Sequence, residues 1–311
     1  MSSRSAPSLI IVGQITIDDV VPPLPGPWQR QIGGSSLYAL AGARLWLDID
    51  RIGLLARLGY DYPFDVETLL RELGMRHLAL RRFSGEHMIE WLIYEPDGSR
   101  RSLPRNTALL DIGAEGEHSQ QPYLDSLLQI APSFDELPSQ WLPARALHLC
   151  PQAGTRHRDS LAAWSREVQW VSVDPSPHYS RMMGIEQLTQ HLRGASAFLP
   201  SEQEIRPLLA HSTPQQLALE LNIRGLDEVL FKRAQQSIIV CRDGEVSEVP
   251  VQPVRVIDPT GAGDAFCGAY AACRVLDLTP IESARRAAAT AALVVQCRGV
   301  EAALALPAMS G

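Results

Sequence analysis

Short apolar runs alternate with amphipathic stretches along most of the chain. The runs fall at residues 9–12, 52–55, 146–149, 168–173, 197–199, 229–231 and 237–241. Such short and nearly continuous runs are typical of strands that a parallel sheet buries on both faces. Helical periodicity lies between them, at residues 36–46, 63–73, 160–167 and 214–221. The alternation predicts a doubly wound α/β fold, in which helices cover both faces of a mostly parallel sheet.

One segment departs from this alternation. Residues 86–94 are extended and apolar, residues 95–98 read Glu-Pro-Asp-Gly, and the chain then continues as a second extended piece. Pro-Asp-Gly is a turn sequence, so the segment predicts a hairpin. With further extended pieces at residues 15–21 and 29–32 it predicts a small antiparallel sheet that stands off the main domain. An ordinary edge hairpin is the alternative, and we expect Trp91 and Tyr94 to serve core or dimer packing.

Composition and charge narrow the possible partners and compartment. The 311 residues are 45% hydrophobic and 20% charged, with a formal net charge of −7, which argues against a nucleic-acid surface. The apolar runs at residues 9–12 and 287–295 are too short for a signal peptide and a membrane span, respectively. The five cysteines contain no Cys-x-x-Cys pair and are expected to be small buried hydrophobes in a reducing compartment. We therefore expect a cytoplasmic protein that binds neither nucleic acid nor membrane.

The most informative segment is Asp-Pro-Thr-Gly-Ala-Gly-Asp-Ala-Phe, at residues 258–266, which precedes a predicted helix of small residues reaching about residue 276. A Gly-X-Gly turn at a helix N-terminus directs backbone N–H groups towards an anion. Asp264 is placed to take a proton from a nucleophile that attacks a phosphoryl group. A capped helix is the alternative, but capping needs only one of the two acids. The segment predicts a phosphate site at Gly261, Ala262 and Gly263, with Asp264 as base.

These nine residues resemble the C-terminal signature of the PfkB/ribokinase-like carbohydrate kinases, and weaker resemblances extend from Gly13 to Gly299. The resemblance implies a kinase that uses ATP and Mg²⁺ to phosphorylate a hydroxymethyl group of a small sugar, sugar acid or nucleoside. It also implies a single ribokinase-like domain over residues 1–311, with lid strands at about residues 14–34 and 85–106. In this family the lid covers the sugar and often pairs with a second subunit, which implies a homodimer.

The first substrate segment runs from Gly13 to Asp18 and resembles the N-terminal Gly-x-x-x-x-Asp of the family. The resemblance assigns Asp18 to the sugar hydroxyls, and a carboxylate suits this task because it can accept from two neighbouring hydroxyls. Asp19 is beside it and is the candidate for a solvated acid. Thr16 stands where many members have Asn, which alters one polar contact.

The second substrate segment begins with Gly33 and Gly34, which resemble the glycine pair that opens a helix in the family's first signature. Without a Cβ, the backbone can approach a sugar closely. Tyr38 stands where typical members have Asn, which suggests a differently shaped or more apolar substrate. Arg105 resembles the arginine that pairs with a substrate carboxylate in relatives acting on acidic keto-sugars.

The nucleotide side departs further from the family. Glu204 matches the acid of an Asn-x-x-Glu motif that organises Mg²⁺ through water, although Ser201 replaces the Asn. Lys232 matches the start of a turn that lies along the nucleotide, but Ala234 and Ser237 replace its two glycines. These side chains add bulk where backbone normally approaches the nucleotide.

The resemblance also assigns Asp258, Thr260 and Gly299 to the edge of the nucleotide site, where relatives hold a monovalent cation such as K⁺. Two other functions remain as alternatives. The replaced glycines and Tyr38 favour a catalytically weak sensor of sugars or nucleotides on the same fold. An oxidoreductase that binds a dinucleotide is disfavoured, because the first strand is not followed by Gly-x-Gly-x-x-Gly.

Overall fold

The computed structural model describes residues 6–21, 29–94, 100–101, 121–176 and 180–309. Its strands are, in chain order, β1 Leu9–Val12, β2 Thr16–Val21, β3 Gln29–Gly33, β4 Ile52–Leu58, β5 His77–Arg82, β6 Ile89–Tyr94, β7 Arg100–Arg101, β8 Ala144–Leu149, β9 Val168–Val173, β10 Ala197–Phe198, β11 Glu228–Phe231, β12 Ile238–Arg242 and β13 Glu245–Val249.

The α-helices are α1 Ser35–Ala43, α2 Val66–Glu72, α3 Gln121–Ile130, α4 Gly154–Trp164, α5 Ile185–His191, α6 Pro214–Ile223, α7 Ala262–Val275, α8 Pro280–Val294 and α9 Gly299–Leu304. None of the helices in these ranges is long and apolar enough to cross a membrane. The five cysteines are free thiols, and four of them are buried, as the sequence predicted.

The larger sheet has the strand order β13-β12-β11-β10-β9-β8-β1-β4-β5 within the described ranges. The strands from β5 to β11 pair in parallel, whereas β12 and β13 add an antiparallel edge. This arrangement confirms the predicted fold class. Because the strands are parallel, their carboxyl ends meet at one edge of the sheet, which is where ligands bind in open α/β folds.

Both faces of the sheet are covered, as the continuous apolar runs require. In β1, Leu9 and Ile11 pack into one hydrophobic cluster with residues of α1 and α7. Ile10 and Val12 point to the opposite cluster, which includes residues of α4, α5 and α6. Alternate side chains of one strand therefore enter two separate cores, which explains why β1 contains no polar residue.

Helices α1 and α7 pack backbone to backbone at two positions. A Cβ on Gly42 would lie 2.0 Å from the carbonyl oxygen of Ala265, and one on Gly268 would lie 1.8 Å from that of Ala39. Glycine at these two positions is therefore what lets the helices approach. The ring of Tyr38 on α1 also packs on Gly261, so the helix that follows the predicted glycine pair contacts the predicted phosphate turn.

The smaller sheet has the order β3-β2-β6-β7 and corresponds to the predicted lid. It is mixed rather than antiparallel as predicted, because β2 and β6 pair in parallel, with Ile17 opposite Ile89. Two segments far apart in the chain pair here, and turn sequences do not encode the direction of such a pair. The predicted Pro-Asp-Gly turn at residues 96–98 lies outside the described residues.

Candidate active site

Three neighbouring strands of the larger sheet deliver polar residues to its carboxyl edge. Asp174 directly follows β9, the Ser201–Glu204 turn follows β10, and Lys232 directly follows β11. Two backbone hydrogen bonds join this turn to the residue after β11. The N–H of Lys232 donates to the carbonyl of Pro200, and the N–H of Glu202 donates to the carbonyl of Lys232. Parallel pairing thus assembles residues that are about 30 positions apart in the chain.

The turn at Gly261 opens helix α7. Gly261 adopts a left-handed conformation with φ of 71°, and a Cβ there would lie 2.0 Å from Cγ of Tyr38. Both the backbone and the space therefore require glycine. The first-turn N–H groups of a helix have no intrahelical acceptor, and Asp264 belongs to that turn. The N–H of Ala262 faces the carbonyl of Pro259 at 3.4 Å, so it makes a long hydrogen bond.

Asp258 holds this turn in place. One oxygen of its buried carboxylate accepts from the N–H of Thr260 at 2.9 Å, and the other accepts from the N–H of Gly299 at 3.2 Å. The carboxylate therefore joins the phosphate turn to the start of α9. The structure brings together Asp258, Thr260 and Gly299, the residues that the resemblance assigned to a monovalent cation. Among the described residues, no group of three or more His, Cys, Asp or Glu side chains could hold a metal ion.

A buried ion pair lies under the phosphate turn. The Nζ of Lys232 is 2.7 Å from Oδ2 of Asp174 and 3.2 Å from Sγ of Cys267, and only 9% of Lys232 is exposed. It also lies 3.5 Å from where a Cβ on Gly263 would be. Burial lowers the pKa of Lys232, but the Asp174 carboxylate raises it further, so its pKa lies well above the usual value and the amine stays charged.

The orientation of Lys232 differs from what the sequence suggested. Its ammonium is buried beneath α7 instead of lying along an exposed nucleotide turn. The sequence analysis did not identify Asp174 as the partner of Lys232. An Asp at the end of one strand and a Lys at the end of a strand two places away in the sheet are the signal that could have found the pair.

The following turn keeps a glycine-like backbone. Ala234 has φ of 49°, in the left-handed region that favours glycine, and its side chain is exposed. The hydroxyl of Ser237 donates to the carboxylate of Glu248 on β13, which is also bound by Gln215. The two glycine replacements are thus accommodated differently, one by a strained backbone and the other by an anchored side chain.

Glu204 folds back on its own turn. Its Oε2 accepts from the N–H of Ser201 at 2.6 Å. Glu202, two residues earlier, pairs with Arg233 at 3.0 Å. A carboxylate has lone pairs to spare after one such bond, so Glu204 keeps acceptor capacity for a water molecule of hydrated Mg²⁺. The residues present therefore fit an ion that is bound through water.

Asp18 lies at the junction of the lid and the larger sheet. It is 3% exposed and accepts a hydrogen bond of 2.6 Å from the hydroxyl of Thr16. A Cβ on Gly33, which is opposite Thr16 in the β2–β3 pair, would lie 2.0 Å from Cγ of Asp18. The structure thus groups Asp18, Thr16 and Gly33 as the resemblance implied. The expectation of a solvated Asp19 is wrong, because it is fully buried and forms a two-bond ion pair with Arg30.

Tyr38 lies between the substrate segment and the phosphate turn. It is 3% exposed, its ring packs on Gly261, and its hydroxyl has no hydrogen-bond partner among the described residues. Burial raises its pKa well above the usual value, and the nearby carboxylates of Asp258 and Asp18 raise it further. Tyr38 therefore presents a neutral phenol to the site, in the place where the family has an amide.

The lid contributes one residue that sequence reasoning assigned to packing. The hydroxyl of Tyr94, at the end of β6, donates to Oδ1 of Asp258 at 3.3 Å and also contacts the hydroxyl of Thr260. The lid strand is therefore attached to the loop that carries the phosphate turn. Arg105, the proposed partner of a substrate carboxylate, lies outside the described residues.

Comparisons with known proteins show which family and which fold this chain is similar to. The model of the pfkB family carbohydrate kinases matches residues 161–307. The cytidine kinase of Thermococcus kodakarensis is 24% identical over 275 residues, which cover 85% of this chain and 87% of that protein. A fructokinase structure with bound ATP from Xylella fastidiosa superposes with a TM-score of 0.71 at 19% identity, covering 97% of this chain and 95% of that chain. An Escherichia coli putative ribokinase II in complex with ATP and Mg²⁺ gives 0.67 at 20% identity, covering 95% and 94%.

Proposed function

We propose that the chain belongs to the PfkB/ribokinase-like carbohydrate kinases, whose family model matches residues 161–307, and that it transfers the γ-phosphoryl group of ATP to a hydroxymethyl group of a small sugar, sugar acid or nucleoside. The observation that supports this proposal best is the left-handed Gly261 turn, which opens α7 directly before Asp264 and is packed against the substrate segment through Tyr38. Backbone N–H groups that can bind a negatively charged phosphoryl group thus lie next to a carboxylate that can accept a proton.

In this mechanism Asp264 accepts the proton of the substrate hydroxyl as its oxygen attacks the γ-phosphorus. The bond from the γ-phosphorus to the β–γ bridging oxygen breaks, and ADP leaves with that electron pair. The N–H groups of the Gly261–Gly263 turn and the positive end of α7 stabilise the charge on the transferring group. Lys232 adds a fixed positive charge beneath this turn. Glu204 would organise Mg²⁺ through water, and the ion would neutralise further charge on the phosphates.

The substrate end is built for hydroxyl groups. Asp18 accepts from Thr16, and because a carboxylate offers about four acceptor positions, it can also accept from hydroxyls of a polyol. Replacing Asp18 by alanine should raise KM, because this contact is lost equally in the ground and transition states. An unchanged KM and kcat would show that Asp18 does not bind the substrate.

The direct test is ATP turnover with a panel of cytidine, D-ribose, D-fructose and 2-dehydro-3-deoxygluconate, followed by detection of the phosphorylated product. ATP with Mg²⁺ should also raise the melting temperature, because at a hundredfold excess over Kd the bound nucleotide adds about 2.7 kcal/mol to the free energy of unfolding. The alternative sensor is favoured by the replaced glycine at Ala234. A thermal shift with a panel member but none with ATP, ADP or GTP would overturn the kinase and favour that sensor.

We also propose that the lid forms the interface of a homodimer. Ile89 is 40% exposed on the strand that carries half-buried Trp91, so this lid strand presents apolar surface to solvent. Replacing Ile89 by lysine should convert a dimer to a monomer without loss of folding. Light scattering that gives a single 34.2 kDa species at high concentration would contradict the dimer.

A further inference from the structure

The hydroxyl of Tyr38 is a buried polar group that forms no hydrogen bond with the residues that the structure describes. The residue is 3% exposed, and its hydroxyl has no hydrogen-bond partner among the described residues. A buried hydroxyl without a partner destabilises the free protein, because its bonds to water are lost without replacement. Such groups are uncommon in native structures, and a ligand is one of the few things that can satisfy them.

Tyr38 is held in position by its backbone and by its ring. Its backbone N–H belongs to the first turn of α1 and donates to Gly34 at 3.4 Å. Its ring lies against Gly261, where a Cβ would fall 2.0–2.3 Å from three ring carbons. Tyr38 therefore connects the glycine pair of the substrate segment to the phosphate turn. The contact of its ring with Gly261 limits the movement of its hydroxyl.

Several charged and polar groups surround the hydroxyl of Tyr38. The carboxylates of Asp258, Asp18 and Asp264 and the hydroxyl of Tyr94 all act to raise its pKa, after burial itself. The hydroxyl is thus a neutral donor near three carboxylates, Asp18 from the substrate segment and Asp258 and Asp264 from the phosphate turn. Asp18 is the proposed acceptor for substrate hydroxyls, and Asp264 is the proposed base at the attacking hydroxyl.

We propose that Tyr38 determines substrate specificity by donating its hydroxyl hydrogen to the ring oxygen of a furanose, the oxygen beside the carbon that carries the reacting hydroxymethyl group. This inference rests on the proposed kinase function. In a furanose with its vicinal hydroxyls at Asp18 and its hydroxymethyl group at Asp264, the ring oxygen is bonded to the carbon that carries the hydroxymethyl group and lies across the ring from the vicinal hydroxyls. A phenol suits this position because an ether oxygen can only accept.

The test compares Tyr38→Phe with the wild type. The matched control is Tyr270→Phe, since Tyr270 is fully buried on α7 and its hydroxyl donates to Glu228 at 2.6 Å. Tyr38→Phe should leave the melting temperature of the free protein unchanged or higher, because no bond is lost, and should raise KM roughly three- to tenfold with little change in kcat. Tyr270→Phe should lower the melting temperature and leave KM unchanged.

A second comparison tests the ring oxygen itself. Cytidine is compared with carbocyclic cytidine, in which CH₂ replaces the ring oxygen; if the wild type prefers another panel member, its ring-CH₂ analogue is used instead. The wild type should favour the natural compound roughly three- to tenfold in kcat/KM, and Tyr38→Phe should reduce this ratio towards one. The same ratio in both proteins, or an unchanged KM in Tyr38→Phe, would overturn this inference while leaving the kinase intact. Turnover of no panel member by the wild type would overturn both.

Discussion

Two turns at the carboxyl edge of the sheet use the same left-handed backbone with different residues. The phosphate turn has glycine at its left-handed position, Gly261, with φ of 71°. The turn after β11 has alanine, Ala234, with φ of 49°. The difference follows from what surrounds each Cβ. At Gly261 it would fall inside the ring of Tyr38, whereas the side chain of Ala234 is exposed. Alanine at the second turn costs only backbone strain, so the replacement does not abolish the turn.

The two turns are also linked. Lys232 begins the second turn, and its buried ammonium lies 3.5 Å from where a Cβ on Gly263 would be. The residue that the resemblance connects with the nucleotide is therefore a support for the phosphate turn. This arrangement predicts that the phosphate turn is sensitive to changes at either of its two supports, Lys232 and Tyr38, whereas the Ala234 turn tolerates substitution.

The largest effect is expected at the base. Asp264→Asn should lower kcat by roughly 10²–10⁴, because the side chain can no longer accept the proton of the attacking hydroxyl. The fold should be retained, since the two side chains have nearly the same shape. Steady-state kinetics measures the change, and a normal thermal shift with substrate and with ATP is the control. A kcat close to that of the wild type would remove Asp264 from the mechanism.

The next largest effect is expected in the buried ion pair. Lys232→Met should lower the free energy of unfolding by about 3–5 kcal/mol, because the buried Asp174 carboxyl, whose pKa burial already raises to about 8, loses its cationic partner and must stay charged alone or take up a proton. Chemical denaturation measures this loss. Arg224→Met is the matched control, since the Arg224–Glu220 pair is on the surface and should cost less than about 1 kcal/mol. If Asp174→Asn in the Lys232→Met background does not recover stability, the charge of Asp174 is not the cause.

A smaller loss is expected at the phosphate turn itself. Gly261→Ala should cost about 1–2 kcal/mol from the left-handed backbone, together with the displacement of the Tyr38 ring. Gly263→Ala is the control for stability, because its Cβ would make an ordinary contact of 3.5 Å with Lys232. Thermal unfolding of the two variants distinguishes them. Equal melting temperatures would mean that Gly261 does not need glycine.

The sequence predicts the buried parts of the fold better than its edges. Strands β1 and β9 have the predicted bounds, since an apolar run buried on both faces has one interpretation. Strands β5 and β13 were missed, because His77–Arg82 and Glu245–Val249 are edge strands whose sequences are half polar. The helix predicted at residues 160–167 begins earlier, at Gly154, because its first turns contain polar residues.

The candidate site was predictable where residues are close in the chain. The phosphate turn, the glycine pair and the Asp18 segment each occupy a few consecutive positions. The Lys232–Asp174 pair, the contact of Tyr94 with Asp258 and the burial of Asp19 depend on chain segments that only the tertiary fold brings together. None of these contacts has a local signal in the sequence, and the strand ends that carry Asp174 and Lys232 indicate a pair only when the order of the strands in the sheet is known.

The smallest effect tests the comparison most directly. Ala234→Gly should raise the free energy of unfolding by about 0.5–1 kcal/mol, because relief of the left-handed strain exceeds the added chain entropy of glycine. Gln235→Gly is the matched control, since Gln235 is exposed in the same turn without a positive φ and should lose about 0.5–1 kcal/mol. Chemical denaturation measures both changes.

Ala234→Gly should also bind ATP at least as tightly as the wild type, as a thermal shift with ATP and Mg²⁺ would show. If both substitutions destabilise the protein equally, Ala234 is not left-handed, and the two turns do not share a backbone.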